Sequence, residues 1–448
     1  MIKLFLRFTF AVLIVQGLAT VAYGANPQHL EQLKTKNACP NCELTDADLS
    51  NMNLQDADLR GAKLEGAKLN GANLTRANLS GAQLMGVRLT GANLTGAKLR
   101  EAKLGLRQQD QYKTLPTEVK PGNLVDTLSW LGYFSSTIAT WYEEVVTDLR
   151  DAKLQAADLY GADLTGARLT RANLQDAQLN YAKLVNADLQ ETQLTRAKLS
   201  GATLVGANLK AARMEVADLN GANLAGARMS DANLDTVNAD SANLSSADLA
   251  RAYLSGADFN GAILKGTKLD NAVVIAANFQ VADLSGANLR GSVLKGSGFN
   301  RANLSGANLE GVDLSNAKLA IANLTNAQLT GAKLRFAYLH GANLNQANLN
   351  GVDLREAQLR EADFTNASLV GATLESASLI SAKLIGANLT YTNLTLCDLK
   401  WANLTGANLS YANLSQADLQ MAALIDANLD GANLSDANFQ GAIGFNQQ

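Results

Sequence analysis

The sequence predicts an all-β solenoid, and three observations predict it. A large apolar residue, nearly always Leu, stands at every position whose number ends in 4 or 9 except Ala239, first from 44 to 104 and again from 149 to 439. Ala or another small residue stands two positions earlier, as at Thr267, Ser292, Ser297 and Cys397. Phe259, Phe279 and Phe299 replace Leu at intervals of twenty, which sets the length of one coil. In an extended strand, residues two apart point to the same side, so the small and large residues face inward and the Asp, Asn, Lys or Arg between them faces out. The other two residues, often Ser or Thr followed by Gly, suit a tight turn. Seventy-two such centres occur, thirteen in the first run and fifty-nine in the second.

Position 239 tests the inward assignment. There the centre shrinks to Ala239 and the position two before it grows to Val237, as two side chains sharing one interior volume require. A helix fails the pattern because a step of five advances about 500° around a helix axis and leaves no stripe. Leucine-rich and calcium-binding nonapeptide repeats need longer or glycine-specific signatures that are missing. A chain of 448 residues is therefore expected to form one long repeat domain, since each unit buries its apolar face on its neighbours. The four prolines, Pro27, Pro40, Pro116 and Pro121, all lie outside the fivefold text, so the repeat cannot spare a backbone donor.

Taken in order, residues 1–24 read as a signal peptide. Lys3 and Arg7 precede the apolar run Phe8–Leu18, and Ala22-Tyr23-Gly24 forms a small-x-small cleavage site. The run ending at Tyr23 contains Gln16 and falls short of the roughly 20 residues needed to span a bilayer, so no stable membrane span is expected after cleavage. Residues 25–43 are expected to form a helical cap, with Asn26 as N-cap, Pro27 at the first helical position and Leu30 and Leu33 on one face. Terminal coils expose raw core and unpaired edges, which gives the cap its purpose. Cys39 and Cys42 follow, and two readings stay open: a disulfide stapling the cap, or a thiol redox pair. With three cysteines, and with His29 and His340 far apart, no zinc site assembles.

The coils of 44–104 and 149–443 are separated by 105–148. That segment begins as a polar loop and continues as an amphipathic helix carrying Leu128, Trp130, Tyr133 and Trp141, either packed on the solenoid or presented to a partner. Residues 444–448 form a short tail, and the last coil offers itself to a second copy of the chain. Tyr391 and Tyr411, twenty apart, should stack on one edge with Trp401 on the opposite edge, as partner contacts or as a local pair over the turns. His340 occupies an outward position and reads as solvated. Lys63, Arg88, Arg168, Arg213, Lys268 and Lys333 are spread over several faces, and the formal charge is only -3, so nucleic acid is not an expected partner. No catalytic set, cofactor motif or metal cluster breaks the repeat, and the expected partner is a protein.

Ala162-Asp163-Leu164-Thr165-Gly166 and Ala287-Asn288-Leu289-Arg290-Gly291 resemble the pentapeptide-repeat family. The resemblance implies a right-handed quadrilateral β-helix with four pentads per coil. The three phenylalanines, and Phe439 seven coils later, would then lie on one face. Eighteen coils at a strand spacing of about 4.8 Å would make a rod on the order of 85 Å long. Leu33, Lys36, Cys39, Cys42 and Leu44 are similar to the opening of exported, cyanobacterial-type members, which implies periplasm or thylakoid lumen. Some members mimic duplex DNA and protect type II topoisomerases, a role that needs a strongly acidic surface this chain lacks.

Overall fold

The computed structural model describes residues 24–105 and 146–444. They divide into two compact units, Met1–Lys153 with Ala157–Arg168 and Leu154–Ala156 with Leu169–Gln448. Each unit is built the same way. Within each unit, residues whose numbers end in 3 or 8 form one-residue parallel bridges with their counterparts on the next coil, as in Lys63↔Gln83 in the first unit and Asn288↔Asn308 in the second. The step is twenty residues, four pentads to a coil, and sixty in number across the break after Gly105, as in Arg88↔Asp148.

Hydrogen bonding explains the pentad residue by residue. Leu304 donates to the Asn323 carbonyl at 2.7 Å and Asn308 to the Ala287 carbonyl at 2.9 Å, tying the coil to both neighbours. Ala307 closes the turn onto the Leu304 carbonyl at 3.1 Å, and Gly306 donates to Thr325 on the next coil at 2.9 Å. The fifth amide, of Ser305, is satisfied by the Asn303 side-chain Oδ1 at 3.2 Å. All five N–H groups thus have partners, which is why proline is absent and why Asn or Asp recurs just before the centre: its side chain makes the Asx turn.

Inward positions hold the core. Among the described residues, the centres and the small residues two before them are buried from Leu54 to Leu424, Ala239 and Val237 included. Where a hydroxyl replaces Ala it finds a carbonyl: Thr267 Oγ1 donates to Leu244 at 2.9 Å and Ser297 Oγ to Val274 at 2.6 Å. Phe259, Phe279 and Phe299 stack with ring centroids 5.1 and 4.9 Å apart and nearly parallel planes. Phe439 holds the same place in its coil but is only half-buried, because no further described coil covers it.

The second residue of each turn is left-handed, and at Gly201 and Gly431 the reason is visible. A Cβ there would stand 2.6 and 2.7 Å from the rings of Tyr181 and Tyr411, which lean over them from the preceding coil. Val281 tolerates the same conformation at φ 61° despite its branched Cβ. Left-handed backbone costs a non-glycine residue about 1–2 kcal/mol, offset by roughly 0.5–1 kcal/mol of extra chain entropy lost by glycine. Val281→Gly should therefore raise stability by about 0.5–1 kcal/mol, seen as a higher urea midpoint; a lower midpoint would mean that the exposed Val281 side chain contributes packing.

The cap is a single helix, α1 (Pro27–Lys36). Asn26 Oδ1 accepts from Gln28 N, Pro27 opens the first turn, and Asn37 ends the helix in left-handed conformation at φ 48°. Leu33 is buried and Leu30 half-buried. Asn26 N donates to the Glu43 carbonyl and Glu43 N to His29 Nδ1, both at 3.0 Å, which fastens the helix to the first coil.

The boundary read at residue 148 needs correction. Thr147 is buried in the small-residue position, its hydroxyl donating to Leu84 O at 2.9 Å, and Asp148 bridges to Arg88 and to Arg168. The described coil resumes at Val146 with Asp148 opposite Arg88, an extra offset of forty in the numbering. That is a multiple of five, which is why the numbering never slips. The amphipathic helix expected over 123–146, with Leu128, Trp130, Tyr133 and Trp141, lies outside the described residues apart from Val146.

Candidate functional site

At the N-terminal cap the structure pairs Cys39 with Cys42, their Cα atoms 5.4 Å apart. Both residues are buried against the first coil, and Cys39 Sγ lies 3.2 Å from the His29 carbonyl. Thiol exchange needs an approachable sulfur, so this placement favours a staple over a redox pair. Cys397 is equally inert, its thiol donating to Leu374 O at 2.9 Å and pushed by burial up to about 12.

Carboxylates on the outer surface are engaged structurally. Asp56, Asp176 and Asp231 each receive hydrogen bonds from an arginine twenty residues on, Arg76, Arg196 and Arg251, and these guanidinium groups hold the carboxyls below their usual range. Acids kept ionised in this way are poor proton donors at neutral pH. Among the described residues no group of His, Cys, Asp and Glu is arranged to hold a metal ion.

The surface aromatics sit where the register places them. Tyr391 and Tyr411 stack at 5.2 Å on one corner and remain 62% and 59% exposed. Trp401, 60% exposed, stands ten residues out of phase, two faces away, and is not brought together with them. Met421 occupies the same corner one coil later.

One feature escaped the sequence reading. Phe336, Tyr338, His340, Glu356, Gln358, Arg360 and Ser376 line a surface groove of about 610 Å³. His340 is exposed as expected but is not free, for its Nδ1 lies 3.1 Å from the Arg360 carbonyl and must donate to it. The signal was available: the ring-bearing residues 336, 338 and 340 stand at the two turns and the outward middle of one face.

The family model described as pentapeptide repeats (8 copies) matches overlapping runs that cover 42–105, 147–274, 282–320 and 322–443. The chain belongs to the pentapeptide-repeat family. Its fold is that family's β-helix, as the twenty-residue ladder requires. None of the curated proteins matches. Among solved structures it is similar to HetL, a pentapeptide repeat protein involved in heterocyst differentiation regulation from the cyanobacterium Nostoc sp. strain PCC 7120. The identity is 36% over 48% of this chain and 88% of HetL, with a TM-score of 0.27. A pentapeptide repeat protein from the Arabidopsis thaliana thylakoid lumen is 27% identical over 22% of this chain and 61% of its own, with a TM-score of 0.14. QnrB1, a plasmid-mediated fluoroquinolone resistance protein, is 20% identical over 42% of this chain and 89% of its own, with a TM-score of 0.20. No helix among the described residues is long and apolar enough to cross a membrane.

Proposed function

We propose that this pentapeptide-repeat protein is a non-enzymatic, exported protein-interaction module whose contact surface includes its C-terminal coils. The observation that carries this reading is the distribution of exposed large apolar side chains. Of seventeen such residues among the described ones, seven lie between 391 and 443: Tyr391, Leu396, Trp401, Tyr411, Met421, Ile425 and Ile443. Concentration of this kind marks contact surfaces, whereas scattered exposed apolar residues are ordinary. The coil that follows is half-buried at Leu429, Leu434 and Phe439, leaving apolar surface that a second copy of the chain would cover. Export is supported by residues 1–24 and by the Cys39–Cys42 pairing, which an oxidising compartment preserves.

Light scattering on the mature chain is expected to give a dimer, and Trp401→Ser combined with Met421→Lys a monomer. A monomeric wild-type chain would remove the self-association. Pull-down from the exported compartment, with and without 106–145, asks whether that segment selects a different protein partner. The redox alternative predicts thiol exchange by the native protein that Cys39→Ser abolishes; the buried pair argues for none. Gyrase inhibition by the purified chain would revive the topoisomerase-protecting alternative.

A further inference from the structure

We propose that the groove at 336–376 binds a neutral, extended polysaccharide chain. Two adjacent coils build it in two rows, and Ser376 adds to it from a third. The first row crosses one face of the second unit with Phe336, Tyr338 and His340, and the second lies one coil on with Glu356, Gln358 and Arg360. Tyr338 and Gln358 are bridge partners, so the rows stand roughly 4.8 Å apart. Phe336 and His340 occupy the turns at the two ends of that face and Tyr338 its outward middle, so the three rings lie along one side of the coil. The first row is thus a ring-faced shelf, and the second a line of hydrogen-bonding groups beside it.

The shelf is exposed and held in place. Tyr338 is 52% and Phe336 38% exposed. Arg335 lies over the Phe336 ring at 4.7 Å while its guanidinium reaches Glu356 Oε1 at 2.9 Å, fixing the first ring against the second row. Donation from His340 Nδ1 to the Arg360 carbonyl orients the imidazole, whose Nε2 lies 4.0 Å from Glu361 Oε2. Pre-positioned aromatic faces cost little entropy on binding.

Charge decides the class of ligand. Arg335 is paired with Glu356, and Arg360 contacts Glu361 Oε1 at 3.3 Å, so neither sign is left in excess. An anionic chain or a phosphate would meet carboxylates beside each guanidinium, and a cation would meet the arginines. What remains is a chain with flat apolar faces for the rings and neutral hydroxyls along its edge. Those hydroxyls would meet the Gln358 amide and the Ser376 hydroxyl, which both donate and accept, and the outer edge of Arg360, which donates. A β-linked neutral glycan has those two properties, and a groove made of outward side chains on a flat sheet lets a long chain pass across it. The volume of about 610 Å³ lies within the range of established ligand sites, about 300–1,000 Å³.

The test is electrophoresis of the mature full-length chain through native gels cast with mixed-linkage β-glucan, hydroxyethyl cellulose, galactomannan or alginate, or with no polysaccharide. Retardation in at least one neutral gel is expected. Tyr338→Ala should weaken it roughly tenfold, as loss of a principal aromatic contact does, and Gln358→Ala should weaken it less. Tyr411→Ala, on a different corner far along the chain, should leave it unchanged, and circular dichroism should show all three variants folded. Unaltered migration in all three neutral gels overturns the proposal, as does retardation confined to alginate or retardation that survives Tyr338→Ala. Because Tyr411 belongs to the C-terminal surface and Tyr338 does not, failure here leaves the protein-contact reading standing, and the reverse also holds.

Discussion

Leu284→Asp is expected to cost at least about 3 kcal/mol, because it strands a carboxylate in a core that offers it no partner. Leu284 is fully buried, its amide donates to Asn303 O at 2.7 Å, and its inward neighbours are apolar side chains of the same and adjacent coils. Four residues on, Asn288→Ser should cost well under about 1 kcal/mol, since it affects only partly exposed hydrogen bonds. Asn288 Oδ1 accepts from Arg290 N at 3.3 Å and Nδ2 reaches Asp270 at 3.4 Å, both long. Urea unfolding of the two variants beside the wild type measures the contrast. Equal losses would mean that the inward and outward assignment is wrong.

Phe279→Ala should be the most damaging truncation in the molecule, at about 3–5 kcal/mol for a buried phenylalanine. Its ring is sandwiched between Phe259 and Phe299, so both stacking contacts go at once, each worth roughly 0.5–1.5 kcal/mol beyond area burial. Phe279→Leu should cost far less, under about 1.5 kcal/mol, because Leu is what this column carries at 219 and 319. Combining Phe279→Leu with Phe259→Leu should give a loss that departs from the sum, as touching residues do. Calorimetric or urea midpoints for the three variants decide it. Additive losses would show that the rings act as separate fillers.

Much of the fold was legible in residues 44–104 and 149–443 because one physical rule repeats there. A two-residue inward period with a fixed turn leaves only one register, and a slip by one would turn every leucine to solvent. The helical cap was legible for a local reason too, since Asn26-Pro27 and Leu33 carry the signals of a helix start and a buried face. The start of the second run at Thr147 was not, because a hydroxyl in the small-residue place looks polar in sequence. Only the Leu84 carbonyl, more than sixty residues away along the chain, makes it a core residue. The Asx role of the outward Asn and Asp residues was hidden similarly, since composition shows their polarity and not the amide each one satisfies.

Candidate sites followed the same division. The sequence placed Tyr391, Tyr411 and Trp401 on their corners, because a fixed register assigns every residue to an edge. It treated His340 as an isolated surface residue, because its partners Phe336 and Tyr338 precede it in one coil while Glu356, Gln358 and Arg360 come one coil later. What the sequence by itself determined was the inward and outward sense of each residue, which local backbone geometry imposes. What only the tertiary structure decided was which outward residues meet across coils, because a groove depends on the lean of side chains and on pairings twenty residues apart.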